Sequence, residues 1–305
     1  MSIFYVASNQ FTDNFPSSLP NLTRLTDFDL SFNNFRGPIP STWGRSSNLV
    51  HFGINFNGLI GSGRAHDLNF LFSLTNCTQL SDLILRGNNL GGMLPDFIGN
   101  FSANLYLLDM SHNQISESLP QEIGNLVGLG LLAMNKNSLE GTIPNSIGNL
   151  KNLHSIHLEI TKMQTFTAGD NNLSGNIPTQ TFGYQQGLVN LDLASNSITG
   201  PIPPELGDLK HLSKLYLFSN MLSGVIPIEL GGCSALTELY LDGNSFHGNI
   251  PSSLGSLTSL EFLGLSNNNF SGTIPHELEN LTQLTLLELS NNQLYGEVPL
   301  ARRSL

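Results

Sequence analysis

Apolar and polar positions along the chain follow one recurring pattern. In Leu236-Thr-Glu-Leu239-Tyr-Leu241-Asp-Gly-Asn244 and Leu284-Thr-Leu-Leu287-Glu-Leu289-Ser-Asn-Asn292, leucines hold the first, fourth and sixth places and an asparagine closes the motif. The closing asparagines are Asn9, Asn33, Asn57, Asn88, Asn113, Asn137, Asn171, Asn196, Asn220, Asn244, Asn268 and Asn292. Successive marks lie 24 or 25 residues apart, except for 31 between Asn57 and Asn88 and 34 between Asn137 and Asn171. Recurrence at near-constant spacing identifies a repeat architecture of about 12 units.

The local periods predict the elements of each unit. Around Leu239 and Leu241 the apolar period is two, the period of a strand, so these leucines point inward while Tyr240 and Asp242 point out. Stacked units then form a parallel sheet, and leucines of neighbouring units close a core that no single unit can bury. Where the chain leaves the strand, a carboxamide carries both donor and acceptor and can satisfy backbone groups within and between turns, which predicts an asparagine ladder. The stretch after each ladder residue reads as in Leu139-Glu-Gly141-Thr-Ile143-Pro144 and Phe270-Ser-Gly272-Thr-Ile274-Pro275. Its glycine permits a tight or left-handed turn, its isoleucine returns to the core and its proline stops a regular helix. The expected fold is an α/β-type repeat solenoid over residues 1–305. It is a superhelix with a parallel β-sheet on its concave face and short strand, 3₁₀ or irregular structure on its convex side.

Two intervals depart from the period. Residues 58–80 form a longer interval. In the second, the normal strand start at Leu153, Ile156 and Leu158 finds Thr161 in the asparagine's place. A second start at Met163, Phe166 and Ala168 leads to Asn171, which defines an insertion at 159–168. It reads either as a bulged loop or misjoined exon, or as a functional island near the concave face. Met1, Phe4 and Val6 already occupy leucine positions, and the chain stops soon after Pro299. The repeats are therefore expected to be uncapped at both ends, with poor solubility for the isolated chain.

Composition narrows the function classes. Lys and Arg number 12 against 23 Asp and Glu, a net charge of −11, so no basic stripe is available for nucleic acid. No basic-then-apolar leader opens the sequence, and no apolar run reaches the length of a membrane span. Cys77 and Cys233 each stand eleven residues before a ladder asparagine. Six turns between them amount to about 30 Å, beyond disulfide reach, so both read as small buried fillers. His51, His112 and His247 fall in different repeats without ligand spacing, so neither a metal nor a cofactor is expected. Nucleotide-binding, serine-hydrolase, protein-kinase and metalloprotease motifs are missing from the sequence, and no catalysis is expected.

The repeats resemble the plant-type leucine-rich repeats of receptor-like kinases. The stretch Asp67-Leu-Asn-Phe-Leu71-Phe-Ser-Leu74-Thr-Asn-Cys77-Thr78, followed by Gly92-Met-Leu-Pro95, is most similar to the immune-receptor branch. That branch includes the flagellin and elongation-factor receptors and the rice bacterial-blight resistance kinase. The resemblance implies an extracellular domain at the plasma membrane that binds a peptide or protein ligand, with a leucine-rich-repeat co-receptor as a further partner. It also implies defence or developmental signalling through a kinase domain that this chain does not contain. A soluble inhibitor resembling the polygalacturonase-inhibiting proteins, and a nonfunctional truncated product, are the alternatives. The resemblance gives meaning to the N-x-S/T sequons at Asn21, Asn76, Asn100, Asn172, Asn269 and Asn280 as glycosylation candidates, because their number alone is what chance provides.

Ligand binding is expected at the outward strand positions. Tyr216, Phe218, Tyr240 and Phe262, with Lys214, Glu238, Asp242 and Glu261, place aromatic anchors and charges on three adjacent strands. That composition fits a binding hot spot and equally fits cross-strand packing of surface aromatics.

Overall fold

The structure, a computed structural model, describes residues 1–60, 68–150, 164–182 and 186–299. Two compact units divide the chain, Met1–Met163 and Gln164–Leu305. Both are stacks of parallel coils, each coil contributing a three-residue strand to one sheet.

In the first unit the strands Ile3–Tyr5, Asp27–Asp29, His51–Gly53, Asp82–Ile84, Leu107–Asp109 and Leu131–Ala133 pair in sequence order, all parallel. In the second the strands are Thr165–Thr167, Asn190–Asp192, Lys214–Tyr216, Glu238–Tyr240, Phe262–Gly264 and Leu286–Glu288. The register never slips, so Leu191, Leu215, Leu239, Leu263 and Leu287 stand side by side. The first four of these, with Leu193, Leu217, Leu241 and Leu265 two places on, are fully buried. Each contributes about 1.5–3 kcal/mol by leaving water. The early coils of the first unit replace leucine with rings: Trp43 lies 4.8 Å from Phe28 and 4.9 Å from Phe52, and all three are fully buried.

Beyond each ladder asparagine the chain forms a second set of short parallel strands. They include Gly91–Met93, Gln114–Ser118 and Ser138–Thr142 in the first unit, and run from Asn172–Asn176 to Gln293–Leu294 in the second. The conserved-looking proline then opens a 3₁₀ turn. Pro203, Pro227, Pro251 and Pro275 are extended, and the carbonyl of each accepts from the N–H three residues on. Helix is confined, among the described residues, to Leu71–Leu74 and Thr179–Phe182. Four residues after Pro95, Pro203, Pro227 and Pro251 stands a glycine whose missing side chain leaves room for the next coil's backbone. A Cβ on Gly99 would stand 2.6 Å from the Glu122 carbonyl oxygen, and one on Gly207 would collide with the Glu229 carbonyl.

The ladder asparagines bind as their chemistry allows. The Asn220 Nδ2 donates to the carbonyls of Leu217 and Phe218 in its own coil and to Leu193 in the coil before. Its Oδ1 accepts from the Ile198 N–H, again one coil back. Asn33, Asn57, Asn88, Asn113, Asn137, Asn196, Asn244, Asn268 and Asn292 repeat this pattern. Asn171 donates to the carbonyls of Ala168 and Gly169.

Of the two irregular intervals, residues 61–67 and 151–163 lie outside the described residues. The longer interval resumes with Leu68, Phe70, Leu71 and Leu74 buried. The last part of the expected insertion, 164–168, supplies the Thr165–Thr167 strand with Phe166 and Ala168 in the core.

Candidate functional site

Three adjacent strands of the second unit set up the site. Because the strand period is two, Lys214 and Tyr216 flank buried Leu215, and Glu238 and Tyr240 flank buried Leu239. The register places Lys214, Glu238 and Phe262 in one row and Tyr216, Tyr240 and Gly264 in the next. Rows of side chains at cross-strand distance interact directly.

The first row is a charge pair. Lys214 Nζ lies 2.7 Å from Glu238 Oε1, and the Tyr216 hydroxyl donates to Glu238 Oε2. Burial works against the Glu238 anion, but these two hydrogen bonds outweigh it and hold the carboxyl below its ordinary range. Burial, then the bond to Glu238, raises the Tyr216 phenol. Burial and the neighbouring Glu238 and Asp242 charges raise Tyr240.

The rings continue from this pair along the strands. Tyr216 and Tyr240 meet edge to face at 5.6 Å, and Phe218 and Tyr240 at 6.4 Å, within the geometry that adds to burial. All three remain partly exposed. Gly264 makes room for the next coil's neighbours: a Cβ there would run into the Asp242 carboxylate and stand 2.8 Å from Tyr240 Cδ1. Asp242 also reaches the next coil, its Oδ1 accepting from the Ser266 N–H at 2.8 Å and the Ser266 hydroxyl at 2.7 Å.

Not every expected residue joins the cluster. Phe262 is half-buried beside Glu238 but, among the described residues, makes no ring contact, and Glu261 is exposed one residue before the strand. The structure therefore gathers Lys214, Tyr216, Phe218, Glu238 and Tyr240, with Asp242 at the edge. Partly exposed rings beside an internally satisfied ion pair make a surface suited to apolar side chains of an extended segment.

Sequence reasoning passed over two features of the first unit. His51 Nδ1 lies 3.6 Å from Asp82 Oδ2 on the adjoining strand. Asp82 bonding raises the imidazole pKa; burial opposes it, and the Asp82, Asp29 and Asp27 charges add to the rise. The other is the residue before each ladder asparagine, which takes the left-handed conformation: Ser8, Phe32, Phe56, Gly87, His112 and Lys136 all have positive φ. The sequence signal was available, since Asp, Ser, Asn or Gly fills that place in every coil of the second unit from Asp170 on.

Both cysteines are buried and free, and burial pushes each thiol to about 11. The Cys233 thiol donates to the Leu206 carbonyl at 3.1 Å. All six sequon asparagines are exposed. Asn21, Asn100 and Asn280 end 3₁₀ turns, while Asn172 and Asn269 open strands of the second set. Among the described residues no group of His, Cys, Asp and Glu is placed to hold a metal, and no helix is long and apolar enough to cross a membrane.

Comparison with known proteins agrees with the repeat fold. A Leucine rich repeat profile matches residues 234–294, and a second matches 24–46, 79–101, 104–126, 187–209 and 211–233. Together these stretches cover more than half of the chain. The receptor kinase-like protein Xa21 of Oryza sativa subsp. japonica is 48% identical over 63 residues, 21% of this chain and 6% of that protein. The LRR receptor-like serine/threonine-protein kinase EFR of Arabidopsis thaliana is 42% identical over 73 residues, 24% of this chain and 7% of that protein. Among solved structures, the Arabidopsis receptor kinase HAESA, in complex with the peptide hormone IDA and the co-receptor SERK1, superposes with a TM-score of 0.69 at 30% identity. That likeness covers 98% of this chain and 55% of HAESA.

Proposed function

Because the chain belongs to the leucine-rich-repeat proteins, and its relatives are plant receptor kinases matched through their repeats, we propose that it is ligand-binding ectodomain sequence of such a receptor. In this reading it works on the extracellular side of the plasma membrane, in defence or developmental signalling. It engages an extracellular peptide or protein through the first sheet of the Gln164–Leu305 unit, and a second leucine-rich-repeat ectodomain serves as co-receptor. The observation that carries the reading is the Tyr216–Phe218–Tyr240 cluster, three partly exposed rings beside the Lys214–Glu238 pair. Aromatic anchors around a satisfied polar pair are the composition in which a few residues dominate binding energy. The HAESA complex with a peptide hormone and a co-receptor supports the partner classes. The exposed sequons are proposed glycosylation sites of a secreted protein.

The test is a displayed random-peptide selection on the immobilised full chain, followed by calorimetry of enriched peptides. Peptides that lose at least about tenfold in affinity against the Tyr216→Ala/Tyr240→Ala double variant are the expected result. Enriched peptides that bind the double variant equally well place recognition elsewhere and overturn the site.

A further inference from the structure

A second cluster, in the Met1–Met163 unit, has features that packing does not explain. Phe32 and Phe56 occupy the left-handed place before their ladder asparagines, with φ of +54° and +50°. Bulky side chains are strongly disfavoured there, and such outliers persist where the surroundings or function demand them. Core packing is not the demand, because Phe32 is 51% and Phe56 38% exposed. The two rings stack at 4.8 Å. Gly87 fills the same place in the next coil, and its missing side chain admits the Phe56 ring, whose Cδ1 would stand 2.6 Å from a Cβ there.

Arg86 completes the arrangement. Its guanidinium lies 5.4 Å from the Phe56 ring centroid, and Nη2 lies 3.2 Å from His112 Nε2. A guanidinium carries only donors, so in this contact the imidazole Nε2 is the acceptor. Ring and imidazole hold the cation in place without neutralising it. The neighbouring carboxylates are engaged elsewhere: Asp109 accepts from the Ser111 N–H and hydroxyl, and Asp82 faces His51. Among the described residues no carboxylate lies within ion-pair distance of Arg86, and its buried Nε has no partner. An oriented guanidinium with no acidic partner among the described residues is well suited to take an oxyanion.

We infer that Arg86, Phe56 and Phe32 form a second ligand subsite, separate from the Tyr216–Tyr240 cluster, which takes an anion carried on an aromatic or apolar group. The oxyanion meets the guanidinium, and the group bearing it lies along the stacked phenylalanines. The left-handed backbone belongs to the corner that every coil repeats, and what Phe32 and Phe56 add there is a stacked, partly exposed pair of rings.

The test uses the full chain labelled with ¹⁵N-arginine and follows the side-chain Nε–H resonances. The probes are phenyl phosphate, 3-phenylpropionate and inorganic phosphate. The resonance missing from Arg86→Gln shifts saturably with an aromatic anion, more weakly with inorganic phosphate. Phe56→Leu reduces the affinity at least about fivefold while leaving the other arginine resonances in place. A response to phenylpropionate assigns a carboxylate ligand, and a response to phenyl phosphate alone assigns an ester of phosphate-like charge. The Tyr216→Ala/Tyr240→Ala variant retains the response, so failure of the other site leaves this one standing. An unmoved Arg86 resonance, or equal binding of inorganic phosphate and the aromatic probes, overturns the inference.

Discussion

The Tyr216 hydroxyl donates to Glu238 on the neighbouring strand, on the oxygen that Lys214 leaves free. Tyr216→Phe removes one of the two bonds that depress the Glu238 carboxyl, so its pKa rises toward the ordinary value of 4.5. Carbon-detected titration of the side-chain carboxyls checks this. A depressed carboxyl pKa means that the group's contribution to stability is present above 4.5 and is lost as pH falls through the lowered folded value. The wild-type minus Tyr216→Phe difference in melting temperature therefore shrinks on acidification.

His51 titrates in the opposite sense. Its folded pKa is raised above 6.5, so its contribution is complete below that value and lost as pH rises through the raised one. Asp82→Asn removes the largest cause of the shift. Imidazole proton resonances then titrate at lower pH than in the wild type, and the stability gap between the proteins narrows as pH rises from 6.5 through the raised folded value.

Asn220→Ala strips partners from the carbonyls of Leu193, Leu217 and Phe218 and from the Ile198 N–H, all at a buried corner. The expected loss is about 1–3 kcal/mol in urea unfolding. Asn292 makes the same bonds at a more exposed corner, where water replaces them, and Asn292→Ala costs less.

Two glycines separate sterics from backbone conformation. Gly207→Ala drives a methyl into the Glu229 carbonyl and costs about 1–3 kcal/mol through overpacking. Gly243 has φ of +64°, yet a Cβ there has its nearest neighbours 3.6 Å away. Gly243→Ala therefore reports the left-handed penalty alone, about 1–2 kcal/mol. Differential scanning calorimetry of both variants measures the two effects.

Much of this was readable in the chain. The ladder asparagines and the leucines beside them announce themselves because each serves a need repeated in every coil, and repetition is visible without coordinates. The outward rings at Tyr216 and Tyr240 followed from the strand period. That Phe262 stands apart from them was not readable, because ring contact depends on rotamers and on what Gly264 leaves open. The His51–Asp82 and Arg86–Phe56 relationships were hidden for a related reason. Each joins single residues in different coils, 31 and 30 positions apart, across the irregular interval. Periodicity carries no information about such pairs. The left-handed place before each asparagine was visible in its Ser, Asp, Asn and Gly residues, but Phe32 and Phe56 masked the rule where it matters most.

Among the described residues, each ladder bond between corners joins adjacent coils. Asn88 still reaches the Ile54 carbonyl and the Leu59 N–H although the interval before it is seven residues longer than the usual 24. Extra chain is thus accommodated between two anchor points without disturbing either, so such a protein can gain or lose whole windings, or enlarge a single one, by genetic duplication and insertion. Only the corner groups of adjacent windings have to match, whatever the length of chain between them.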